Sequence, residues 1–208
     1  YTDDLFYLKY LEIKGNNYIS TEEIANLISI NRKKSIFDYD IKNIKNTLEK
    51  ISFIKTVHIG LKIPDKLEIQ ITERVPIALI LHDKTKFFID CDNTIILADF
   101  NSLNHFPVTI LNIKNKNINS NNSMHIIKYL YKNYNSMYSN VSEILELNSK
   151  ITLITDNRTK IFINPNMAIN NIQKLIDFEQ SIELVKNINN YNYIDLIYKN
   201  QIVVKEKV

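Results

Sequence analysis

Apolar and polar positions alternate with a period of two across residues 56–62 and again across residues 66–72. Val57, Ile59 and Leu61 interleave with Thr56, His58 and Gly60; Leu67, Ile69 and Ile71 interleave with Glu68, Gln70 and Thr72. This pattern predicts two strands, each with one buried and one solvated face. Ile63-Pro64-Asp65-Lys66 between them reads as the turn of an antiparallel hairpin. Upstream, residues 8–14 read as a strand closed by Gly15-Asn16-Asn17. The period then changes to that of a helix. Ile24, Leu27 and Ile28 follow a capping box formed by Ser20 and Glu23, and Ile41, Ile44, Leu48 and Ile51 follow Asp40 as a second cap. The order is strand–helix–helix–strand–strand, with both helices on one face. The expected core is Leu11, Ile13, Ile24, Leu27, Ile28, Ile44, Leu48, Val57, Ile59, Ile69 and Ile71.

The pattern changes after Pro76. Residues 77–82, 86–91 and 94–99 read as strands, the last two joined at Asp92-Asn93. A polar loop over 101–105 and an Asn/Lys-rich loop over 112–122 precede a helix over 123–137. Strands over 142–148, 151–155 and 159–163, a helix over 170–187 and two terminal strands around Lys199-Asn200 complete the chain. The expectation is an α+β protein: a small β-α-α-β-β domain over 1–76, then a mixed sheet with two helices over 77–208.

Composition narrows the function classes. A hydrophobic fraction of 45% with 24% charged residues is that of a globular protein. A net charge of +3 gives no nucleic-acid footprint, and no stretch is apolar enough to span a bilayer. The chain opens at Tyr1 rather than Met, so it is expected to be a piece of something longer. Gly15 and Gly60 are its two glycines, too few and too far apart for a phosphate-cradling loop, and many turns carry Asn instead. Cys91, the single cysteine, lies between Asp90 and Asp92, whose carboxylates disfavour a thiolate; it is expected to be a buried strand residue. His58, His82, His105 and His125 stand apart, which argues against a zinc site. No catalytic residue, metal, cofactor or small-molecule substrate is assigned.

Several motifs occur in order. They are Gly15-Asn16, Phe37 with Asp40, Ile54-Lys55-Thr56-Val57-His58-Ile59, Pro64 to Ile69, and Glu73-Arg74-Val75-Pro76-Ile77-Ala78. Further on come "FFIDCDNTI", "HFPVTI" and "YIDLIYKNQIVVK". Together they resemble the FtsQ/DivIB family of bacterial cell-division proteins across nearly the whole chain, with Asn93 where the family usually has glycine. The resemblance implies a POTRA domain followed by a β domain, with Glu73-Arg74 at the joint between them rather than in a catalytic pair. It implies a single-pass anchor in the inner membrane upstream of Tyr1, with this region on the periplasmic side at the septum. The implied role is a non-enzymatic scaffold binding the FtsB–FtsL pair and other division proteins such as FtsK. The alternative reading is a POTRA-containing outer-membrane assembly or secretion factor.

The same resemblance places the partner site at the C-terminal edge strand, on Ile197, Tyr198, Gln201, Ile202, Val203, Val204 and Lys205, with Tyr198 on the preceding strand. Ile197 stands where relatives often carry arginine, so binding here is expected to depend less on salt. A recruitment surface is implied around Thr56 and Ile59.

Overall fold

A computed structural model describes residues 4–82, 85–112, 122–147 and 150–207. The chain divides into two compact units, Tyr1–Val75 and Pro76–Val208. The first contains β1 (Tyr10–Lys14), α1 (Thr21–Leu27), α2 (Ile41–Glu49), β2 (Ile54–Lys62) and β3 (Lys66–Glu73). β3 is central, parallel to β1 and antiparallel to β2. The register aligns Leu11, Leu67 and Leu61, then Ile13, Ile69 and Ile59, on one face. The helices start where their caps dictate. The Ser20 hydroxyl accepts from the Glu23 N–H at 3.1 Å while Glu23 accepts from the Ser20 N–H at 3.2 Å, and Asp40 accepts from the Asn43 N–H at 2.9 Å.

Ile24, Ile28, Ile44, Leu48, Val57, Leu67, Ile69 and Ile71 are buried. Four residues expected in this core are not. Leu11, Ile13 and Ile59 are half-buried on the outer strands β1 and β2, where burial is uneven: Val57, also on β2, is fully buried. Leu27 is 49% exposed. It is the last residue of α1, and the chain turns away at Ser29 with φ +50°.

The opposite face of this sheet carries charge. Lys14 pairs with both Glu12 and Glu68 at 3.1 Å, Lys66 pairs with Glu12, and Lys62 pairs with Glu68. Hydrogen bonds from Lys62 and Lys14 hold the Glu68 carboxyl down at about 2; those from Lys66 and Lys14 lower Glu12.

The charged end of β3 has a structural explanation. The Glu73 carboxylate accepts three backbone N–H groups, from Asn17, Tyr18 and Ile19, each at 2.9 Å. One oxygen takes the first two and the other takes the third. The carboxylate therefore satisfies the loop that leads into α1, where no ladder is available to do so. The same loop begins at Gly15, whose φ is +81° and where a Cβ would lie 2.0 Å from the Ile71 carbonyl oxygen. Only glycine combines that backbone angle with that approach.

The second unit is one nine-stranded sheet in the order β12-β11-β10-β9-β8-β7-β4-β5-β6. Its strands are β4 (Pro76–His82), β5 (Thr85–Asp90), β6 (Ile95–Leu97), β7 (Thr109–Asn112), β8 (Val141–Leu147), β9 (Lys150–Thr155), β10 (Lys160–Ile163), β11 (Tyr191–Asp195) and β12 (Val203–Glu206). The sheet is mixed: β4/β7, β7/β8 and β10/β11 are parallel. Four α-helices, not two, accompany it among the described residues: α3 (Phe100–His105), α4 (Asn122–Asn133), α5 (Asn135–Asn140) and α6 (Ala168–Ile182). α3 lies where a polar loop is expected, because Asp99 and Ser102 cap it reciprocally. The single helix expected over 123–137 is divided at Tyr134, and the helix expected to reach residue 187 stops at Ile182. β7 is too short to show a period. Most of the 112–122 loop lies outside the described residues. The core joins Ile77, Ile80, Ile144, Leu153 and Ile161 of the sheet to Ile126, Leu130, Ile172 and Leu175 of α4 and α6.

Two substitutions test the loop anchorage. Gly15→Ala should lower the stability of the first unit by about 2–3 kcal/mol, from strained φ and the clash with Ile71. Glu73→Ala should cost about 2 kcal/mol by leaving three N–H groups without their acceptor. Chemical denaturation of the purified chain checks both; an unchanged midpoint for either would remove this account.

Candidate functional site

The terminal strand is built against β11. Asp195 pairs with Val203, Ile194 with Val204 and Tyr193 with Lys205, and the register then shifts so that Tyr191 faces Glu206. The Lys207 N–H donates to the Asn190 carbonyl at 2.9 Å. Alternation along the strand therefore turns the N–H groups of Lys205 and Val203 toward β11 and those of Val204 and Glu206 outward. β12 is last in the sheet order, and no strand pairs with its outer side among the described residues. Its side chains are lightly covered: Ile202 and Val203 are half-buried, while Val204, Lys205 and Glu206 are exposed. This is an edge that offers backbone donors and acceptors to another extended chain.

Four of the seven expected contact residues, Ile197, Tyr198, Gln201 and Ile202, lie off the strands. β11 ends at Asp195, so Ile197 and Tyr198 belong to the loop before β12, as does Gln201. The Asp195 carboxylate accepts the Ile197 N–H at 3.0 Å, which ends the strand by giving the chain a side-chain partner in place of the ladder. Tyr198 is 52% exposed, and its ring is available to a partner.

Three lysines fasten this region. Lys174 of α6 donates to the carbonyls of Tyr198 at 2.6 Å and Gln201 at 2.7 Å. Lys186 pairs with Glu206, and Lys207 donates to the Asn157 carbonyl at 2.6 Å. Burial lowers the pKa of Lys174, opposed by the nearby Asp195 carboxylate, whereas the hydrogen bond to Glu206 raises that of Lys186. Sequence reasoning missed Lys174. Its partners are backbone carbonyls, which have no signature in residue identity.

The recruitment pair separates. Thr56 and Ile59 are three positions apart on β2, so they point to opposite faces. Ile59 aligns with core-facing Ile69, and Thr56 with Thr72 on the other face.

The candidate chemistry resolves into structure. One oxygen of Asp90, which is 3% exposed, accepts the N–H groups of Asp92 at 2.9 Å and Thr94 at 2.8 Å. It thus fixes the turn in which Asn93 takes φ +66°. Cys91 is not a buried strand residue. It is half-buried and lies just beyond β5, where that turn begins. No three His, Cys, Asp or Glu side chains gather around a metal-sized space among the described residues. No helix among them is long and apolar enough to cross a membrane.

Comparison with known proteins finds similar sequences. Residues 6–74 match the family model for the POTRA domain, FtsQ-type. Cell division protein DivIB of Clostridium tetani is 26% identical over 178 residues, covering 86% of this chain and 66% of the relative. DivIB of Staphylococcus aureus is 31% identical over 103 residues, covering 49% of this chain and 23% of the relative. The chain therefore spans less than two thirds of either DivIB protein. Cell division protein FtsQ of Rickettsia typhi is 23% identical over 211 residues, covering 97% of this chain and 73% of the relative. Residues 6–74 are thus similar to POTRA domains of the FtsQ type, and the chain as a whole is similar, over 86% and 97% of its length, to relatives named as DivIB and FtsQ cell-division proteins.

Proposed function

We propose that this chain is the extracytoplasmic region of a non-enzymatic division scaffold, anchored by one inner-membrane helix upstream of Tyr1 and acting at the septum. In this reading residues 1–76 form the POTRA domain and residues 77–208 the β domain. β12 receives a strand from the FtsB–FtsL pair, so that the scaffold links early and late division proteins. The observation that carries the reading is that no strand pairs with the outer side of β12 among the described residues, set beside relatives named as division proteins over 86% and 97% of the chain. Those names favour division over outer-membrane assembly. Within the site, Val204 supplies an outward N–H and carbonyl, Tyr198 is the aromatic anchor beside the strand, and Lys205 meets acidic groups on the partner. Ile197, Gln201, Ile202 and Val203 complete the contact surface. Thr56 remains the proposed recruitment residue for a partner such as FtsK, since β2 is the outer strand of its sheet.

Three experiments test this reading. Val204→Pro removes an outward amide while leaving the β11 ladder its own N–H groups. It should lower affinity for the FtsB–FtsL ectodomains at least about tenfold, a loss of about 1.4 kcal/mol, with the melting temperature nearly kept. Wild-type affinity in that variant, measured by calorimetry, would exclude strand addition at β12. Tyr198→Ala should cost about 2 kcal/mol of binding, as expected for a buried aromatic anchor. Thr56→Arg should leave the POTRA domain folded and abolish septal localisation by fluorescence microscopy; normal septal signal would remove this surface.

A further inference from the structure

The seven residues from Leu196 to Ile202 join β11 to β12 without a glycine or proline to fix their course. β12 itself has four residues, three of them exposed, so packing alone gives it little hold on the sheet. Its far end is tied through Lys186 to Glu206 and through Lys207 to the Asn157 carbonyl. Its near end meets Lys174. That residue follows buried Ile172 and precedes buried Leu175 on α6, so its backbone is set by the core. The Lys174 ammonium reaches across to two carbonyls on either side of the Lys199-Asn200 turn, those of Tyr198 and Gln201. An ammonium has three donors and is suited to bridging carbonyls in this way.

We propose that Lys174 is a positioning residue for strand addition: by holding both limbs of the loop it sets where β12 begins and how Tyr198 is presented. This rests on the reading of β12 as the partner edge. The physical basis is a local equilibrium. An edge strand opens without global unfolding, and a partner that needs the ordered edge binds more weakly in proportion to the fraction ordered. Loss of Lys174 therefore lowers affinity without touching the core, and α6 becomes part of the partner-binding apparatus although its Lys174 need not contact the partner.

The test uses the whole chain as wild type, Lys174→Met and Lys174→Arg. Amide exchange by mass spectrometry is followed over residues 196–206 and over β9 as an internal reference. Affinity is measured for the FtsB–FtsL ectodomain pair. Lys174→Met should speed exchange over residues 196–206 at least tenfold, leave β9 unchanged and weaken binding by a similar factor, with the melting temperature nearly kept. Lys174→Arg should restore both. A residue that merely supported the fold would shift β9 exchange and melting together, and arginine rescue of affinity would not be separable from rescue of stability; that result overturns the proposal. Unchanged exchange over 196–206 in Lys174→Met also overturns it. If wild type fails to bind the ectodomains but Lys174→Met still loosens residues 196–206, the partner assignment falls while the clamp stands.

Discussion

An open β-sheet ends in backbone groups that it cannot satisfy by itself, and the second unit of this chain is organised around that constraint. Nine strands run from β6 to β12, and their edges expose donors and acceptors that the interior strands share among themselves. At β12 the protein leaves the row open but does not leave it loose. Lys174, Lys186 and Lys207, two of them arising from or just after α6, hold the strand and its loop by contacts to carbonyls and to one carboxylate. The side chains of the strand contribute little burial. The edge is thus held against the sheet by lysine contacts to its loop and its far end, while its outer side pairs with no strand among the described residues.

The first unit applies the same rule in the opposite sense. Its loop between β1 and α1 would present three amides with no ladder, and Glu73 closes them with a single carboxylate. An acid beside an arginine at the end of a strand invites a catalytic reading. The hydrogen bonds instead account for both oxygens, and Gly15 accounts for the close approach of the loop to Ile71.

How much of this could be read from sequence depends on whether residue identity or spatial encounter decides the feature. The hairpin of β2 and β3 follows from strict alternation, and α1 and α2 from the caps Ser20, Glu23 and Asp40. The turn after β5 is legible in Asp92-Asn93. Burial at the sheet margins is not legible: Ile59 and Ile69 have the same pattern, yet Ile69 on the central strand is fully buried and Ile59 on an outer strand is only half-buried. The mixed order of the larger sheet, with β7 between β4 and β8, comes from contacts distant in sequence. Within the candidate site, the strand at Val203–Glu206 was visible in its β-branched residues. The displacement of Ile197 and Tyr198 from β11 depends on the Asp195 carboxylate, and the role of Lys174 depends on carbonyls that any residue would carry.

The alternating ion pairs on the outer face of the POTRA sheet have an effect on how that face responds to acid. A carboxyl whose folded pKa is depressed stabilises the fold above its ordinary pKa, and that contribution is lost progressively as pH falls from the ordinary value through the folded one. Glu68 is held at about 2 and Glu12 is also lowered, each by lysine hydrogen bonds. All four pairs are partly or largely open to solvent, so their energetic worth is small and screened by salt. The lysine hydrogen bonds favour the ionised form of both carboxyls, so the charge pattern of this face is biased toward persisting under mild acidification.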